Sequence, residues 1–191
     1  LDVVLDESLD GFQTLRDRST GRDYAQSDAK PLGLYRLTFG GGKQKTIHLT
    51  SLDATERSCD RTPNGLQFRF VHEGETPLEV VCRATTSEDS PEIRWRIAVK
   101  NDSRFPLTAA EFPRVQLAAR LGNDAKDDAI VYPSLEGVLL TSPSLRFRDQ
   151  QEHRSSYPGK MSAQFMYFFD PQGGFYVAAE DGTGYRKDLV A

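Results

Sequence analysis

At 191 residues with only two cysteines, the chain is long enough to bury a core as one large domain without disulfide staples. Its net charge of −4 comes from acidic and basic residues interspersed along the sequence, which excludes the clustered Lys and Arg of a nucleic-acid surface. No stretch approaches the roughly 18 consecutive apolar residues of a membrane-spanning helix. The chain starts at Leu1 rather than Met, so it reads as a processed form or a fragment of a larger multidomain protein. Its localisation is left open; a secreted or periplasmic parent is compatible with this reading.

Residues 1–5 and 11–16 read as a first hairpin, followed by the turn DRSTG at 17–21 and a polar, irregular stretch at 22–31. LYRLTF at 34–39 is a strand with Tyr35, Leu37 and Phe39 on one face. GGGK at 40–43 lacks the spacing of a phosphate-binding loop and no helical pattern follows, so it reads as a flexible turn. His48 is expected on the surface or half-buried in a strand. From residue 54 to 100 the apolar period is two. Leu66, Phe68, Phe70 and His72 form one set, Leu78, Val80, Cys82 and Ala84 a second, and Ile93, Trp95, Ile97 and Val99 a third. These are half-buried antiparallel strands of a meander, with Trp95 as a core anchor and Arg94 and Arg96 on the solvated face.

The turns at 61–65 and 73–77 place strand 66–72 between the strands that carry Cys59 and Cys82. Strands spaced ~4.8 Å apart then hold the two cysteines roughly 9–10 Å apart, beyond disulfide reach. Two free thiols are expected, each a small core hydrophobe.

Residues 107–117 form a strand broken in phase at Phe112-Pro113, where an edge or a bulge is expected because proline donates nothing to a ladder. The loop 122–128 carries Asn123, Asp124, Asp127 and Asp128 but not the spacing of a calcium loop, and no metal is expected. Short strands follow at 129–133 and 137–140, then a long loop at 142–159. The last hairpin pairs QFMYFF (164–169) with FYVAAE (175–180) through a turn at 170–174. Both strands are continuously apolar, which predicts burial on both faces, by a thick sandwich or by something outside the chain. No helix of any length is evident. The fold class is all-β, a large antiparallel β-sandwich in one domain, 1–191.

Three stretches together carry a resemblance: GFQTLRDRSTGRDY (11–24), WRIAVKNDSRFPLTAAEFPRV (95–115), and 157–187 with its YPG, QFMYFFD, GGFYVAAED and GYRK. In this order they resemble the N-terminal β-supersandwich of the galactose-mutarotase-like fold, the domain that precedes the catalytic barrel in several bacterial glycoside hydrolases. The resemblance implies two large sheets face to face. It also implies a non-catalytic accessory role, packing on a catalytic domain of the same parent protein and lining its carbohydrate cleft. The alternatives it leaves are a stand-alone carbohydrate-binding module, for which Tyr132, Tyr157 and Tyr185 are the candidate exposed aromatics, and a sugar mutarotase or epimerase. Against the last, His48, His72 and His153 are scattered, and Glu111, Glu180 and Asp181 have no evident partner for acid–base work. No catalytic residue and no cofactor is therefore expected. The residues expected at the substrate or domain interface are Tyr157, Gln164, Asp181 and Lys187, at the ends of the last hairpin and beside the 142–159 loop, where they rim an apolar patch.

Overall fold

The computed structural model describes residues 2–6, 8–9, 11–26, 30–42, 45–87, 90–146 and 154–190. His153, Lys43 and the middle of the 142–159 loop lie outside the described residues. Fifteen strands dominate, and the described helices are two short turns, Ser51–Asp53 and Pro143–Arg146. The chain is all-β with antiparallel pairing throughout. Its contacts gather into two compact units, Leu1–Leu117 and Ala118–Ala191.

The first unit contains β1 (Asp2–Leu5), β2 (Phe12–Arg16), β3 (Arg36–Phe39), β4 (Ile47–Thr50), β5 (Glu56–Thr62), β6 (Gly65–His72), β7 (Leu78–Ser87), β8 (Ser90–Asn101) and β9 (Leu107–Glu111). β1 and β2 form the expected first hairpin. Two sheets, ordered β4-β3-β9 and β5-β6-β7-β8, supply the core. Leu37 and Phe39 from β3, with Leu34 and Tyr35 before it, share one buried cluster with Phe68 and Phe70 of β6 and Leu78, Val80 and Cys82 of β7. The period-two pattern thus faces inward as read. Trp95 is half-buried against this cluster, edge-on to Phe12 and Phe112 and stacked on Phe68. β9 stops at Glu111, just before Phe112-Pro113, and is an edge strand.

The register puts Cys59 opposite Phe68 and Phe68 opposite Cys82, so β6 separates the thiols as predicted, and both are free. One expectation is corrected: Cys82 is buried, but Cys59 is exposed. It lies on the core-facing side of β5, yet β5 is the outer strand of its sheet and residues 58–61 are all exposed.

The second unit contains β10 (Ala129–Tyr132), β11 (Val138–Thr141), β12 (Arg154–Tyr157), β13 (Phe165–Asp170), β14 (Gly173–Ala178) and β15 (Lys187–Val190). Its sheets are β11-β10-β13-β14 and β12-β15. The final hairpin is tighter than expected. Asp170 pairs with Gly173, so Pro171 and Gln172 alone make the turn, and both glycines belong to β14. The Gln172 N–H donates to Asp170 Oδ1 at 2.8 Å, a side chain closing the turn. At Gly174 a Cβ would stand 2.3 Å from the Phe168 carbonyl oxygen, so only glycine fits.

Of the hairpin's two apolar faces, the described residues bury one. Phe168 and Asp170 on one face are buried, as is Ile130 beside Phe168. The other face carries Phe165, Tyr167 and Phe169 half-buried, with Tyr176 56 % exposed and Leu139 on β11 58 % exposed. These aromatics shelter one another instead: Tyr167 stacks on Phe169 at 4.8 Å and Phe165 on Tyr176 at 5.6 Å between ring centres.

Candidate functional site

The four residues singled out at the hairpin ends converge. Tyr157 on β12 is the register partner of Lys187 on β15. Lys187 Nζ lies 2.6 Å from Asp181 Oδ2. Gln164, directly before β13, donates from Nε2 to the Asp181 carbonyl at 3.1 Å, and its own carbonyl accepts the Ala179 N–H at 2.8 Å. Asp181 is fixed by a local turn in which the Thr183 N–H and hydroxyl each donate to its carboxylate at 2.8 Å. The loop between β14 and β15 is thereby tied to the start of β13 and the end of β12.

The Lys187 ammonium beside Asp181, joined by the Thr183 donors, holds the Asp181 carboxyl down to about 2. A carboxyl this acidic is ionised throughout the neutral range, which makes it an anchor for the ammonium rather than a proton donor. One atom in the group is left over: Gln164 Oε1 is buried and accepts no hydrogen bond among the described residues. Unfilled polar atoms at a buried position carry a cost unless a water or ligand meets them.

Beside this group is an open cleft of about 340 Å³, lined by Tyr157, Gln164, Phe165, Tyr176, Ala178 and Ala179, with Ser162 and Ala163 at its end. Phe165 and Tyr176 are the stacked pair of the open sheet face, so the cleft has an aromatic wall and an amide and a phenol at its rim. Tyr176 did not stand out in the sequence because a continuous apolar run hides which half of it faces outward. The aromatic set expected for a binding module is corrected: Tyr132 is buried, and of Tyr132, Tyr157 and Tyr185 only Tyr185 is strongly exposed. Tyr132 lies on the sheet face opposite the aromatics, the face that carries buried Ile130 and Phe168.

The remaining acidic candidates are engaged elsewhere. Glu111 bridges Arg36 and Arg114, the latter at 3.4 Å, and stands in the first unit with no histidine in the bridge. His48 shares a hydrogen bond with the Thr38 hydroxyl at 3.1 Å, and His72 one with the Tyr35 hydroxyl at 2.6 Å. Asp127, Asp128 and Asp170 each bring a carboxylate oxygen within 4.8 Å of the others. Both Asp128 oxygens face the Leu121 N–H at 3.3 Å, and Asp170 caps its own turn; these contacts organise loops and do not by themselves define an ion site.

The fold and this geometry define an antiparallel β-sandwich protein with a small aromatic-walled cleft at a hairpin end. No protein-family model matches the chain, and no curated protein matches it either.

Proposed function

We propose that this chain is a non-catalytic, carbohydrate-facing accessory domain of a glycoside hydrolase, of the galactose-mutarotase-like supersandwich type. Its cleft at the β13–β14 hairpin contributes to a sugar site or to the seam with a catalytic domain of the same parent. The observation that supports this most is the cleft wall: the Phe165–Tyr176 pair stands beside a buried Gln164 Oε1 that meets no hydrogen-bond donor among the described residues. A pyranose ring presents apolar C–H faces that lie on aromatic rings, and hydroxyls that donate to amide oxygens. Small ligand sites combine apolar walls with a few placed polar groups in this way. The Asp181–Lys187 ion pair braces the rim and, with its carboxyl already ionised, takes no part in proton transfer.

Calorimetric titration of the chain with a panel of hexoses and short oligosaccharides tests the reading. Binding by at least one sugar, lost in Tyr176→Ala and weakened in Gln164→Leu, is expected. Binding that survives both substitutions, or none across the panel, removes the sugar-facing role of the cleft.

A further inference from the structure

We propose that the outer edge of β14 is a self-pairing surface, through which two copies of this chain join β14 to β14 antiparallel about a two-fold axis at Tyr176. This is independent of the sugar reading. β14 is the last strand of the sheet β11-β10-β13-β14. In an antiparallel ladder, residue pairs alternate between those that exchange backbone hydrogen bonds and those that do not. The Ala179 N–H donates to the Gln164 carbonyl, which fixes the phase: Val177, Phe175 and Gly173 bond toward β13. Gly174, Tyr176 and Ala178 therefore turn their N–H and C=O groups outward, and no described residue takes them.

Proteins guard such edges with charge, proline or bulges. The long edge strand β8 is guarded in this way, with Pro91, Glu92, Arg94, Arg96 and Lys100 along it. A self-paired β8 centred near its middle would set arginine against arginine. β14, GGFYVA, has no charge, no proline and no bulge, and Tyr176 and Ala178 are exposed. The sequence is also self-complementary in one register. Centring on Tyr176 sets Tyr176 opposite its own copy and Gly174 opposite Ala178. All three outward-facing residues then find partners, giving about six new hydrogen bonds. Because Gly174 has no side chain, the residue arriving beside Ala178 leaves that wall of the cleft clear. The occupant that this edge fits is a second copy of the chain, and the product is a continuous eight-stranded sheet.

Sedimentation equilibrium of the 191-residue chain is expected to show a dimer. Tyr176→Lys, which puts two ammonium groups face to face across the axis, is expected to sediment as a monomer with an unchanged circular dichroism spectrum. Cysteine scanning in a Cys59→Ser background fixes the register. Tyr176→Cys is expected to form a disulfide-linked dimer, because mates across a bonded pair are about 5.5 Å apart at Cα. Ala178→Cys is not, because its own mate is four residues along, roughly 13 Å away. A wild-type monomer at all soluble concentrations, a dimer that persists in Tyr176→Lys, or cross-linking at both cysteine positions or at neither overturns the proposal.

Discussion

His72 is a buried ionisable residue of the first unit. It is 3 % exposed, shares its Nε2 with the Tyr35 hydroxyl, and its Nδ1 has no hydrogen-bond partner among the described residues. Burial lowers its pKa; Asp53 opposes the shift and Arg57 adds to it. A histidine held neutral in the fold binds its proton more readily once unfolded. Stability is therefore full above the unfolded value of about 6.5 and is lost as the pH falls below it, by up to about 1.4 kcal/mol per pH unit. Urea midpoints measured from pH 7.5 to 5 are expected to fall in the wild type and to fall less in His72→Gln. Parallel curves would show that His72 is not the titrating group.

The two cysteines give a second test at this scale. Burial pushes the Cys82 thiol up to about 12, and the Cys59 thiol is raised by partial burial and by Asp60. Only Cys59 is open to reagent. Thiol titration of the native chain is expected to count one group, and a second only in denaturant. Two reactive groups in the native state would contradict the burial of Cys82 in the core. The sequence separated the two sulfurs correctly, because strand spacing follows from turn positions. It did not tell core from edge, because burial at Cys59 depends on how far the opposing sheet extends, which period-two patterning does not encode.

At the scale of elements, the β13–β14 hairpin shows where reading the residues succeeds and where it stops. The two strands and their pairing were legible in two apolar runs flanking Asp-Pro-Gln-Gly-Gly. The turn length was not, because either glycine can serve a turn or a strand with a close backbone approach. Gly174 turned out to be the latter, so Gly174→Ala is expected to destabilise the chain by about 2 kcal/mol or more, as overpacking against a fixed backbone does. Denaturant melts of the purified variant measure this; a melt equal to wild type would place Gly174 in the turn. The continuous aromatic run marks both faces for cover, by this chain or by something outside it, and the described residues bury one of them. On the other face, ring-on-ring stacking of Tyr167 with Phe169 and Phe165 with Tyr176 supplies part of the shelter.

At the scale of the whole molecule, the all-β class is legible because helical periodicity is missing from the sequence; most strands fall within a few residues of their expected bounds, but β12 (Arg154–Tyr157) lies in a stretch expected to be loop and β15 (Lys187–Val190) lies where no strand was expected. The convergence of Tyr157, Gln164, Asp181 and Lys187 follows from β12 pairing with β15, a long-range pairing that no local pattern announces. Within that convergence the ammonium of Lys187 keeps the Asp181 carboxyl ionised rather than poised to give up a proton. Polarimetry with freshly dissolved glucose or galactose is accordingly expected to show anomer exchange at the uncatalysed rate. Acceleration abolished by Asp181→Asn would make the chain an enzyme.

If the β13–β14 cleft takes carbohydrate, as proposed, sugars perturb the residues that line it. Amide and side-chain NMR of the labelled chain, titrated with the sugar panel, tests this most directly. Shifts confined to residues 157, 162–165 and 176–179 are expected, with the Gln164 side-chain amide moving as its oxygen gains a donor. Shifts centred in residues 2–117, or a spectrum unmoved by every sugar, would contradict the proposal.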